Sequence, residues 1–248
     1  AVGHAAGRNV TTGINNTVIG ALAGDAITSG ANNVALGNQA GSAISTGGDN
    51  TIVGGFAGDA LTTGPYNVAI GRSALSLEVA YGYNVAVGAF ALLNQNANDN
   101  AFNVAIGYTA GQLMTSGIRN TVIGSLSGDA LTTGMQNTFV GFNSGSNTTT
   151  QSYNTAIGDS ALSTNVNGAR NVAIGNAALS TMNPASSTDT YNVAIGYDAG
   201  TAVTTGTANT IIGGLAGNAL TTGIDNAVLG YNALSTEDTG SRSVAIGR

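Results

Sequence analysis

Fourteen times in 248 residues the chain returns to one five-residue phrase. It reads Asn-Thr-Val-Ile-Gly at 16–20, Asn-Val-Ala-Leu-Gly at 33–37 and, with small changes, continues to Ser-Val-Ala-Ile-Gly at 243–247. The anchor falls at Asn16, Asn33, Asn50, Asn67, Asn84, Asn103, Asn120, Asn137, Asn154, Asn171, Asn192, Asn209, Asn226 and Ser243. The step is 17 residues except from Asn84 to Asn103 and from Asn171 to Asn192, where two and four residues are inserted. A fixed period of this length means a repeat array, and it excludes most globular folds.

Each repeat has four fixed columns. Gly stands four residues after every anchor, as Gly20, Gly37, Gly54, Gly71, Gly124 and Gly213, among others. The residue before it is Ile, Val or Leu, the residue seven after the anchor is Ala or Ser, and most repeats end in a Thr/Ser-Gly turn such as Thr62-Thr63-Gly64. β-Branched and small residues after the anchor suit a pleated strand. The following Gly fits a corner that needs a positive φ. A second short strand is expected through Leu61, Leu131 and Leu220. A helix is disfavoured, because each Gly in a helix interior costs about 1 kcal/mol.

The pattern therefore predicts an all-β fold: a parallel β-roll or β-solenoid of about fourteen 17-residue coils, running as one continuous array over 1–248. Coils stacked at the ~4.8 Å spacing of paired strands would make a shaft on the order of 65 Å. A single coil cannot bury its own apolar residues, whereas its neighbours can cover them. The anchor Asn is expected to hydrogen-bond the next coil in a ladder. A two-coil module recurs at 5–30, 40–64, 110–134 and 199–223, as duplication would leave it.

Both faces of the strand are apolar. The Ile19 and Ile70 column is expected to build the coil, and the alternate column, Val18, Ala69, Ala86, Phe139 and Ile211, to face another chain. An oligomer follows, with a parallel homotrimer favoured. Charge is sparse: twelve acids, six Arg and no Lys give a net charge of −6, a poor match to nucleic acid or anionic membrane. Cys is absent, so neither disulfides nor thiol chemistry enter. No apolar run reaches the roughly 20 residues of a spanning helix.

The phrases Asn-Thr-Val-Ile-Gly, Asn-Val-Ala-Ile-Gly and Asn-Val-Ala-Leu-Gly resemble the head repeats of YadA-type trimeric autotransporter adhesins. Tyr231-Asn232-Ala233-Leu234-Ser235-Thr236 is similar to the repeat of phage tail-fibre-like proteins. The resemblance covers essentially the whole chain. It implies a left-handed roll, three chains side by side, and an extracellular place on a cell surface or virion as part of a longer fibre. The 17-residue period is longer than is usual for adhesin heads, and no neck or coiled-coil stalk lies in this stretch.

Catalytic residues are not expected. His4 is the only histidine, and Glu78 and Glu237 lie some nine coils apart, too far for a carboxylate pair. Asp25, Asp59 and Asp129 share a column singly, without a calcium-roll pattern, so neither a metal nor a cofactor is expected. Aromatic residues gather beside the phrase: Tyr66, Tyr83, Phe102, Tyr153 and Tyr191 before the anchor, and Tyr108, Phe142, Tyr197 and Tyr231 after the Gly. Tyr108, Tyr197 and Tyr231 are candidate contacts to a glycan of a host surface. The expected function is a structural or adhesive fibre segment. Its rivals are an ice-binding β-roll, suggested by the similar Asn-x-Val-x-Gly repeats of plant ice-binding proteins, and a tailspike-like depolymerase.

Overall fold

A computed structural model describes all residues, 1–248. The chain divides into two compact units, Ala1–Asn120 and Thr121–Arg248. Each is a parallel β-solenoid of coils about 17 residues long, without a helix.

Unit 1 contains six three-residue strands: β1 (Thr17–Ile19), β2 (Val34–Leu36), β3 (Thr51–Val53), β4 (Val68–Ile70), β5 (Val85–Val87) and β6 (Val104–Ile106). Each pairs in parallel with the next, in the register Thr17↔Val34, Val18↔Ala35, Ile19↔Leu36 and its equivalents. Val2 bridges to Ile19, continuing the register backwards. Unit 2 contains β7 (Thr121–Ile123), β8 (Thr138–Val140), β9 (Thr155–Ile157), β11 (Val172–Ile174), β13 (Val193–Ile195), β14 (Thr210–Ile212), β15 (Ala227–Leu229) and β16 (Val244–Ile246), paired in the same way. A second sheet of two strands, β10 (Gly168–Ala169) and β12 (Thr188–Asp189), exists only beside the four-residue insertion.

The glycine ending each strand answers two demands at once. Gly37 sits at φ +137°, and a Cβ there would stand 2.7 Å from the carbonyl carbon of Gly54 in the next coil. Backbones of adjacent coils thus meet at this corner, where only glycine fits.

The anchor Asn is buried and closes the coil. Asn33 Nδ2 donates to Gly47 O at 2.9 Å, fourteen residues on in its own coil, and to Asn16 Oδ1 at 3.1 Å. Its own Oδ1 accepts from the backbone N and the Nδ2 of Asn50, each at 3.0 Å. Backbone N to Oδ1 steps of this kind link Asn16 through Asn120 in unit 1, and Asn137 through Ser243 in unit 2. With its amide satisfied, the side chain escapes the 1–3 kcal/mol or so that an orphaned buried polar group costs.

Two expectations are corrected. Leu61, Leu131 and Leu220 do not lie on a second strand; they are fully buried at the end of a chain of turns. Residues such as Leu22, at φ 58°, turn the backbone out of extended geometry, while the coils stay bonded through turns, as in Gly24 N to Ala40 O at 2.9 Å. The two strand faces are also reversed. Val18, Ala69, Ala86, Phe139 and Ile211 point into the core, whereas Ile19 and Ile70 are 41% and 37% exposed. Period-2 alternation separates the faces but does not say which is inside. The coil is narrow, and its interior is shared with residues eight and eleven after the anchor.

Those inner positions exchange volume. Where the eighth residue is Gly, the eleventh is usually a large apolar residue: Gly24 with Ile27, Gly41 with Ile44, Gly128 with Leu131 and Gly217 with Leu220. A Cβ at Gly41 would stand 2.6 Å from Ile44 Cδ1. Where the eighth residue is Leu, the eleventh is usually polar: the fully buried Leu75, Leu92 and Leu162 are followed by Glu78, Gln95 and Asn165, and the half-buried Leu234 by Glu237, whereas Leu179 keeps an apolar partner in Met182. Three of these polar residues then cap the corner: Glu78 Oε1 accepts from Tyr81 N (3.0 Å), Asn165 Oδ1 from Gly168 N (2.8 Å) and Glu237 Oε1 from Gly240 N (2.8 Å). Phe139 shows the same compensation, with Gly145 where a Cβ would touch its ring at 2.7 Å and Thr148 in place of an aliphatic residue.

Candidate functional site

The outward face of the strand carries two columns. One is Thr or Val, from Thr17, Val34 and Thr51 to Val104 in unit 1; the other is Ile, Val or Leu, from Ile19 and Leu36 to Ile106. Unit 2 repeats the arrangement, with Thr121, Thr138 and Thr155 on three successive strands beside Ile123, Val140 and Ile157. No charged residue stands in either column. The face has side chains at strand spacing, half exposed, uncharged and largely apolar, which is unusual for a surface left to water.

The residue before each anchor forms an exposed column beside this face. All fourteen are non-glycine residues in the left-handed conformation, from Asn15 at φ 60° through Tyr83 at 64° to Arg242 at 58°. Along parts of the column neighbouring side chains interact directly, amide with amide, ring with ring and guanidinium with ring. Asn15 Nδ2 donates to Asn32 Oδ1 (3.2 Å), and Asn32 Nδ2 to Asp49 Oδ1 (3.0 Å). Tyr66, Tyr83 and Phe102 stack with ring centroids 5.1 Å apart at each step. In unit 2, Arg170 lies between two rings, its guanidinium carbon 4.5 Å from the Tyr153 centroid and 5.8 Å from that of Tyr191. The inter-coil step sets this spacing.

The candidate glycan contacts fall in the column after the corner Gly. Tyr108, in unit 1, is 55% exposed and meets Phe90 edge-on at 6.2 Å. Tyr197 and Tyr231, in unit 2, share a column two coils apart with Gly214 between them. Tyr231 leans over Gly214, with the Arg248 guanidinium 5.8 Å from its centroid. The glycine and asparagine anchors line corners and interior, so Asn33, Asn50, Asn67, Asn120 and Asn209 are wholly buried and reach no ligand; Asn16 is part-buried.

Ionisable groups are scattered rather than gathered, and no three His, Cys, Asp or Glu side chains come together as a metal site would need. No cleft is present. Asp25 pairs with Arg8 at 3.6 Å. Partial burial lifts the Asp129 carboxyl above the usual aspartate range. Glu78 is wholly buried, one carboxyl oxygen has no partner, and desolvation outweighs its backbone hydrogen bonds and raises its pKa. The equivalent Gln95 one coil on has an unpartnered Nε2. Sequence reasoning passed over both the Arg170 corner and the Glu78 core position. The insertion before Asn192 marks the first, and the switch from Gly to Leu at position 75 marks the second.

No protein-family model, curated protein or solved structure matches this chain. No helix is long and apolar enough to cross a membrane.

Proposed function

We propose that this chain is a structural and adhesive segment of an extracellular filament, a bacterial surface adhesin or a virion tail fibre, which assembles with copies of itself as a parallel homotrimer. The observation that carries this reading is the uncharged outward strand face, with Ile19, Leu36, Ile70 and Ile106 each 37–41% exposed in unit 1. Covering such side chains stabilises by about 25 cal/mol per Å² of apolar surface. A second copy, with the same coil spacing, presents a matching set of columns. Buried anchors, dispersed carboxylates and the lack of a cleft favour a scaffold over the depolymerase reading. Light scattering on the intact chain tests the assembly: a species of three times 24.2 kDa is expected, and a monomer sinks it.

A second reading gains from one observation. Thr121, Thr138 and Thr155 stand on the strand and face outward, where an ice-binding surface would need ranked hydroxyls. Thermal hysteresis at micromolar protein would favour that reading over the filament.

A further inference from the structure

The four residues inserted before Asn192 are not needed to stack a coil, yet the lengthened stretch is bonded back to the coils before it. They form β12, whose Thr188 and Asp189 pair with Gly168 and Ala169. Ser187 reaches back 36 residues to Gln151 at 3.2 Å. The product of this detour is the position of one carboxylate. Asp189 Oδ2 lies 2.9 Å from Arg170 Nε and accepts from Tyr191 Oη at 3.3 Å.

Arg170 is fixed from three sides: by the Tyr153 ring, by the Tyr191 ring and by Asp189. Its side chain and that of Asp189 remain 40% and 49% exposed. A donor group and an acceptor group thus stand side by side at the surface, each held by contacts within the chain. Tyr191 adds an open ring face. One side of the ring carries Arg170; the next residue in the column is Ala208, which has nothing beyond Cβ to stack there. Tyr191 is accordingly 56% exposed, against 42% for Tyr83, which has a ring on both sides.

We propose that this corner of unit 2 is a carbohydrate-binding site for a neutral hexose of a glycan chain, with Tyr191 as the platform and Asp189 and Arg170 as its hydrogen-bonding edge. A hexose has an apolar C–H face to lie on an aromatic ring and neighbouring hydroxyls that both donate and accept. The paired charges at the corner offer both functions. The Arg170 charge is already answered by Asp189, and the chain carries a net −6, so an acidic sugar gains nothing here. Side chains ordered beforehand lose little entropy on binding. The proposal deepens the adhesive part of the function proposed above, and it places the contact at Tyr191 rather than at Tyr108, Tyr197 or Tyr231.

The test is binding of the intact chain to two immobilised neutral polymers, galactomannan and dextran, with polygalacturonate as the acidic comparison. Saturable binding to at least one neutral polymer is expected. Tyr191→Ala should weaken it at least tenfold. Ala208→Tyr should do the same while removing no group, because the new ring stacks on Tyr191 and closes its open face. Tyr66→Ala, in unit 1, should leave binding unchanged. The site is refuted if neither neutral polymer binds, if polygalacturonate binds more tightly, or if Ala208→Tyr binds like the parent. Light scattering on the same preparation separates the two readings: a monomer that binds glycan overturns the trimer alone, and a trimer that does not bind overturns the site alone.

Discussion

At the residue scale the anchor Asn and Glu78 show opposite fates of a buried polar group. Asn50 sits inside its coil with every hydrogen-bonding atom used, donating to Asn33 Oδ1 and Gly64 O and accepting from Asn67 N at 2.8 Å. Asn50→Ala would orphan Gly64 O and Asn67 N, while Asn33 Oδ1 keeps its bond from the backbone N of residue 50. A loss of about 1–3 kcal/mol is expected, read as a lower urea midpoint. Glu78 has one oxygen unpartnered in the same interior. Its folded pKa is raised, chiefly by desolvation, so the folded chain holds the proton more tightly than the unfolded chain. Stability is therefore full below the ordinary glutamate pKa and declines as pH rises through the raised value. Glu78→Gln should flatten that decline: melting temperatures at pH 4 and pH 8 should lie closer together than in the parent, and an unchanged gap would count against a desolvated carboxyl.

At the scale of the coil, the exchange between the eighth and eleventh positions makes a sharper prediction. Gly41→Leu alone overfills the space beside Ile44, at a cost of about 1–3 kcal/mol. Ile44→Gln alone puts an amide without partners into that buried space, at a cost of about 1–3 kcal/mol. Together they convert the coil to the form of Leu92 with Gln95, so the double variant should be more stable than the sum of the two losses by about 0.5–3 kcal/mol. Strict additivity in chemical denaturation would show that the two positions do not share one space. The exchange can be read in the sequence, but only once both positions are known to point inward. A scan for uniform columns sees Gly and Leu at one position and finds no rule.

For the molecule as a whole, the proposed assembly rests on the strand face. Ile70→Lys with Ile106→Lys places two charges on side chains already 37–38% exposed, so each unassembled chain should fold with unchanged circular dichroism. Burying those charges against a second copy costs several kcal/mol each. If the chain assembles as proposed, this variant should run as monomer in light scattering, while Asn15→Ala on the neighbouring column should leave the assembly intact.

The sequence by itself determined the repeat, the parallel stacking, the corner at Gly20 and the ladder that Asn16 and its equivalents run from coil to coil; that the same side chains also close their own coils came from the structure. A 17-residue period admits few other solutions, and a glycine that recurs without exception marks a backbone demand that no other residue meets. Which strand face turns inward was left to the tertiary structure. Val18 and Ile19 are alike in chemistry and differ only in side, and the side depends on the room left by residues eight and eleven positions beyond the anchor. The surface corner of Arg170, Tyr191 and Asp189 was equally hidden, because it joins residues of adjacent coils that become neighbours only when the chain has stacked.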